Sequence, residues 1–473
     1  MNRITTVFIV LAGIVFASTP LTVHASQITC PNTGLISVTG TDTNNVIPCD
    51  NTGTIEITGT LTNTGGLNNF GGVLTNYGTL TNAGRLVNNS FLVGLTNATG
   101  GLLTNTGDMF NGGRLNNSGT LTNTGTLTTG NGGILTNNSG GTLTNAGHMG
   151  NYDFVTNFGT LTNAGTLTNL SGASLGNYGT LINTGTLDNG GVWQGTGTLT
   201  NTGILTNELF FTAGTLINTG TLTNNLLQDA GGTLSALTLT NTGTLTNNWN
   251  LNYYDTLNNT GILTNTGILT SNGTLTNAGT LTNAGWITGT GTYLQTAGQT
   301  MNNGSLSQLG GVNIQGGLLS GTGTITGPVT IGAGATVSPG NSPGRLTING
   351  NVSSSGNLLF QIGGPVTGQY DVLHINGSAT FTGGNITFDF INGFTASARD
   401  SWNFLYASAI NGWDTLTFTV NGLRPDQTYA FNYANGVETL TVREVHNVPE
   451  PDSFLFLVVA LGGLACWRRL KRV

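Results

Sequence analysis

From Leu239 the chain places an apolar residue at every sixth position: Leu239, Leu245, Leu251, Leu257, Leu263, Leu269, Leu275, Leu281 and Ile287. Shorter runs with the same spacing occur at Leu74, Leu80 and Leu86, and at Leu121 and Leu127. The underlying unit is Gly-Thr-Leu-Thr-Asn-x, with asparagine two residues after the leucine (Asn241, Asn247, Asn259) and glycine two before it (Gly243, Gly261, Gly267). A period of six fits neither an α-helix nor a hairpin. The Thr-Leu-Thr triplet alternates polar and apolar and is rich in strand-favouring threonine, which predicts one short strand per unit. The Asn-x-Gly that follows reads as a corner, because Asn and Gly both tolerate positive φ. Three strands and three corners close a coil of about 18 residues, the plan of a parallel β-helix.

Alternation across a strand points each leucine inward and its flanking threonines outward. One buried leucine contributes roughly 1.5–3 kcal/mol, whereas fixing six backbones costs on the order of 6–12 kcal/mol. A single unit therefore cannot fold, and stability has to come from stacking coil on coil. Asparagines stacked at the corners are expected to add an amide ladder. The spacing slips between Leu205 and Leu216, and aromatic pairs stand at Phe210-Phe211 and Tyr253-Tyr254. Such slips predict loops leaving one corner, where a binding patch is a further reading.

The expected body spans residues 26–304. From about Ser305 the hexads dissolve into longer alternating stretches (Phe381, Ile386, Phe388, Phe390; Phe418, Val420). Residues 305–446 are accordingly expected to continue the helix and cover its open end with a β-rich cap. The fold expected is all-β: a parallel β-helix (β-solenoid) with six-residue repeats, that cap, and a short C-terminal hydrophobic helix.

Composition narrows the function. Only 6% of the 473 residues are charged and 76 are glycine, against about 25% charged in ordinary soluble domains, so solubility rests on neutral Asn, Thr and Ser. With 18 acidic and 11 basic residues, and lysine only at Lys471, the chain lacks the basic face that nucleic acid requires. The four histidines (His24, His148, His374, His446) are far apart, and no His/Cys group has metal-ligand spacing. Asp371 and Asp389 read as isolated surface acids rather than as a catalytic pair. Threonine nucleophiles need an adjacent base, and the repeats contain none. No catalytic residue, cofactor or metal is expected, so the chain reads as a non-enzyme. Cys30 and Cys49 are the candidate disulfide, a staple of the first coil that would constrain the unfolded chain by about 3 kcal/mol. Cys466 lies in the tail.

The two ends read as addresses. Arg3, the apolar run Val7 to Ala17, Pro20 and the small-residue site Val23-His24-Ala25 form a secretory signal over residues 1–25, cleaved after Ala25. Its partners are signal peptidase and the general secretion machinery. Residues 447–473 hold Val448-Pro449-Glu450-Pro451, an apolar run from Phe454 to Trp467, and the basic cluster Arg468-Arg469-Leu470-Lys471-Arg472. This tail resembles the PEP-CTERM sorting signal. The resemblance implies that an exosortase-type enzyme of Gram-negative bacteria reads Val448, Pro449, Glu450 and Pro451. Arg468 and Arg469 would be the retention charge, with the tail holding the protein in the inner membrane until processing. The protein would end at the cell surface or outside the cell.

Two further resemblances concern the body. Residues Gly332 to Ile348 (GAGATVSPGNSPGRLTI) and Tyr370 to Gly377 (YDVLHING) resemble motifs near the end of autotransporter-type passenger domains, which implies a continuing right-handed β-helix with a cap. No barrel follows them, so autotransport itself is not expected. Thr-x-Thr pairs such as Thr120/Thr122, Thr126/Thr128, Thr160/Thr162, Thr274/Thr276 and Thr280/Thr282 resemble the flat arrays of β-solenoid antifreeze proteins. Threonine is expected on every face, however, which argues against a dedicated ice plane. The leading expectation is therefore a structural or adhesin-like protein of the cell surface or extracellular matrix, associated with exopolysaccharide. Ice binding is the alternative, and an enzyme acting on polysaccharide stands third.

Overall fold

A computed structural model describes residues 26–227, 230–341 and 343–445. The expected signal segment, the sorting tail with Val448, Pro449, Glu450, Pro451, Arg468 and Arg469, and the short C-terminal helix lie outside the described residues. The chain is all-β, a parallel β-solenoid of about 17 turns. At about 4.8 Å per coil, the stack is a rod about 80 Å long.

Each coil presents three strands. Thr120–Asn123, Thr126–Thr129 and Ile134–Asn137 form one coil, and Thr142–Asn145, His148–Asn151 and Phe154–Asn157 form the next. Each of these strands pairs in parallel with its counterpart one coil on, apolar residue over apolar residue: Leu121 with Leu143, Leu127 with Met149 and Leu135 with Val155. We call the three resulting flanks A, B and C in that order. Leu103, Leu121, Leu143, Leu161 and Leu181 run up the inside of flank A, all fully buried.

The asparagines are not at the corners. In Thr120–Asn123 the leucine and the asparagine both face inward, and the two threonines face out. The buried asparagines stack into ladders, each side-chain amide donating to the side-chain carbonyl of the next coil. On flank A this runs unbroken from Asn44 through Asn63, Asn82, Asn105, Asn123, Asn145, Asn163, Asn183, Asn201, Asn218, Asn241 and Asn259 to Asn277, with links of 2.6–2.8 Å. An amide carries both donor and acceptor, so a column of amides satisfies itself in a dry interior. The second amide hydrogen reaches a backbone carbonyl, as from Asn123 to His148 at 3.0 Å. The flank B ladder breaks at Thr129, whose buried hydroxyl has no partner.

The glycines also differ from the expectation. Those of the hexads do not adopt positive φ; they let coils approach each other. A Cβ on Gly165 would lie 2.0 Å from the carbonyl oxygen of Gly147, and one on Gly185 would lie 2.1 Å from that of Gly165. The corner itself is the residue pair x-Gly, pinned from below: the backbone N–H groups of Ala164 and Gly165 both donate to the carbonyl of Asn145.

The slips in spacing have two explanations. Chain is inserted at the B-to-C corner at residues 89–94, 130–133 and 170–173, and at the C-to-A corner at 98–101 and 138–141. From Asn63 to Thr280, by contrast, the A-to-B corner keeps two residues throughout. Some aromatics are not in loops at all. Phe211 enters the core and stacks on Trp193 at 4.8 Å, leaving Phe210 exposed. Tyr253 takes an asparagine position, where its hydroxyl meets Ser271, and Tyr254 faces solvent.

Parallel stacking runs on through Ser305 and as far as Thr417–Asn421. It ends where Ser401–Tyr406 pairs antiparallel with Val437–Glu444, itself antiparallel to Gln427–Ala434. Phe360, Phe388, Phe404, Trp413, Phe418 and Phe431 pack edge to face and tilted beneath these strands. Among the described residues no helix is long and apolar enough to cross a membrane.

Candidate functional site

Flank A is built differently from the other two. Its first outward position reads, coil by coil, Thr41, Thr60, Thr79, Leu102, Thr120, Thr142, Thr160, Thr180, Thr198, Thr215, Thr238, Thr256, Thr274, Thr292. The second outward position reads Thr43, Thr62, Thr81, Thr104, Thr122, Thr144, Thr162, Ile182, Thr200, Ile217, Thr240, Asn258, Thr276, Leu294. No charged residue enters either column. The columns stand about 6.7 Å apart, with threonines about 4.8 Å apart along each. The result is a long grid of methyl and hydroxyl groups, backed by the unbroken asparagine ladder.

Flanks B and C do not repeat it. Flank B carries Arg85, Asp108, Phe110, His148 and Asp188 among its threonines. Flank C carries Glu56, Arg114, Phe154 and Trp286. Threonine does stand on all three flanks, as expected, Thr166/Thr168 and Thr244/Thr246 on flank B and Thr136 and Thr156 on flank C among them; flank A differs in that no charge interrupts its columns. A hexad does not reveal its flank: insertions of uneven length at the B-to-C and C-to-A corners decide which units align, and these show only once the coils are closed.

The other candidates are dispersed. Cys30 and Cys49 are joined as a disulfide with Cα atoms 5.2 Å apart. Cys49 is fully buried and pairs with Leu67 in the leucine column. Asp371 is buried, and its carboxylate accepts the backbone N–H groups of Gly344 and Gln361, each at 2.8 Å. It thereby ties Gly344, just before the strand Arg345–Asn349, to Gln361 at the end of Asn357–Ile362. Burial pushes this carboxyl up to about 7, against the pull of the two N–H donors. Asp389 is engaged separately by the Asn421 amide at 2.6 Å. His374 stacks on Tyr406 at 5.2 Å and contacts the Arg345 guanidinium. Burial, then the neighbouring Arg345 charge, lower its pKa. His148 lies on flank B between Thr126 and Thr166. Among the described residues no group of three His, Cys, Asp or Glu is placed to hold a metal ion.

Sequence reasoning missed Glu438. It is 3% exposed on the inward row of Val437–Glu444, in line with Leu440 and Val442. The strict alternation Glu438, Leu440, Val442 was the available signal. No family model matches the chain, and no curated protein is similar enough to count as a match.

Proposed function

We propose that this chain is an exported structural, adhesin-like rod of the cell surface or extracellular matrix that meets exopolysaccharide through flank A and acts without catalysis. One observation carries the reading: a two-column, threonine-rich grid that stays free of charge and in register over fourteen rungs of one flank. Each hydroxyl–sugar contact is weak, but a rigid array makes many of them at once, and multivalency converts them into retention. The export signal over residues 1–25 and the PEP-CTERM-like tail over 447–473 supply the route in this proposal. An exosortase-type enzyme acts on Val448 to Pro451, and Arg468 and Arg469 stay on the cytoplasmic side. Fractionating the native host and determining the mature C-terminus by mass spectrometry tests that route. Processing within 447–473 with the body outside the inner membrane is expected; an intact tail on a protein left in the cytoplasm would refute it.

The same grid favours a second reading, ice binding. Flat alignment of methyl and hydroxyl groups suits ordered water as well as an ordered polysaccharide. Recrystallisation inhibition by the mature chain, lost when flank A threonines become tyrosine and kept when flank B threonines do, would make ice the ligand.

A further inference from the structure

The C-terminal end of the rod holds a cavity unrelated to flank A. It measures about 240 Å³ and is lined by Ile410, Trp413, Phe431, Tyr433 and Glu438. Glu438 stands opposite Tyr433 on one neighbouring strand and Leu405 on the other. Its position in the row demands an apolar residue, and a carboxylate there is costly unless something compensates it. Burial alone pushes the Glu438 carboxyl up to about 7, with no hydrogen bond from the described residues holding it down. No neighbour supplies a positive charge: Tyr433 is the other titratable group of the lining, and the adjoining turn Trp413–Thr415 adds only Asp414. The walls are aromatic. Trp413 and Phe431 meet edge to face at 5.7 Å, and Tyr433 forms the exposed rim. Gly412 sets the turn that presents Trp413, at φ 72° and with no room for a Cβ beside the carbonyl of Phe381.

We propose that this cavity binds a quaternary ammonium group, held by the faces of Trp413, Phe431 and Tyr433 and neutralised by the Glu438 carboxylate. Aromatic rings attract a cation through their negative faces, and the attraction is largest where water is excluded. One carboxylate and one phenol cannot satisfy the many hydroxyls of a sugar ring, nor the three N–H donors of a primary amine. A methylated ammonium has no donor to satisfy, so ring faces and a single negative charge suffice. Binding ionises Glu438 and releases its proton to solvent.

The test titrates the mature protein with choline and with its uncharged isostere 3,3-dimethylbutan-1-ol, following tryptophan fluorescence and heat. Saturable choline binding is expected, weakened about tenfold or more for the neutral isostere and for Glu438→Gln. Near pH 6 the wild type should release a proton on binding, seen as heat that depends on the buffer, and Glu438→Gln should not. Tyr433→Leu, on the exposed rim, tests the aromatic wall without touching the buried row and should weaken binding several-fold. Equal affinity for choline and the neutral isostere, unchanged affinity in Glu438→Gln, or no saturation by choline would each overturn the proposal.

Discussion

Asn123 donates its side-chain amide to Asn145 at 2.7 Å inside the rod, and three residues earlier on the same strands Thr120 stands under Thr142 on the outside. The two relationships are one. A one-residue slip would move every leucine and asparagine to the solvent side, so the interior ladder fixes the register that lines up the threonines.

Cutting the ladder should therefore cost far more than one ordinary hydrogen bond. Asn145→Ala leaves the Asn123 amide and the Asn163 carbonyl oxygen facing each other across a gap in a dry core, a loss of about 2–5 kcal/mol. Denaturant midpoints measured against wild type check this, with exposed Thr120→Ala as the control expected to stay within about 0.5 kcal/mol.

Mending the ladder should do the reverse. Thr129 interrupts the column between Asn111 and Asn151 and leaves its own hydroxyl unpaired. Thr129→Asn restores the link, and we expect a gain of about 1 kcal/mol, read as a higher denaturant midpoint.

The glycine column makes a sharper prediction. In Gly165→Ala the new methyl group meets the Gly147 carbonyl at 2.0 Å, so successive coils must separate, whereas Gly34→Ala meets nothing within 4 Å. The first should lower the unfolding temperature strongly, and the second should leave it near the wild-type value.

Stability should also depend on pH through two buried carboxyls. Asp371 and Glu438 are both raised to about 7 in the folded chain, so between the ordinary carboxylate range and neutrality the folded state holds protons that the unfolded state has lost. Stability then falls as pH rises across that window and levels off above it. Melting scans from pH 4 to pH 8 should show the fall, and Glu438→Gln should remove part of it.

The solenoid was legible because its period is short and an apolar residue, usually leucine, recurs on the inside of every flank. The side of the strand on which asparagine sits was not. Asn-x-Gly is turn chemistry in isolation, and only stacking makes a buried amide self-satisfying, as Asn123 and Asn145 show. The glycines were placed correctly in the unit for the wrong reason, since the approach of Gly165 to Gly147 exists only between coils. The threonine grid was hidden for the same cause: Thr120 and Thr126 look alike in sequence, yet one belongs to a charge-free flank and the other shares its flank with Asp108 and His148. Glu438 escaped because a lone acid near a chain end looks like surface until the strand it sits on is given a partner.

The central claim is that flank A is the working surface. Retention of the mature protein on the host's insoluble exopolysaccharide should be compared for wild type, a flank A variant (Thr142→Tyr with Thr160→Tyr) and a flank B variant (Thr128→Tyr with Thr166→Tyr). The account predicts that the flank A variant loses retention by about tenfold or more, while the flank B variant binds as wild type does. Equal retention by all three, or equal loss from both flanks, would contradict it.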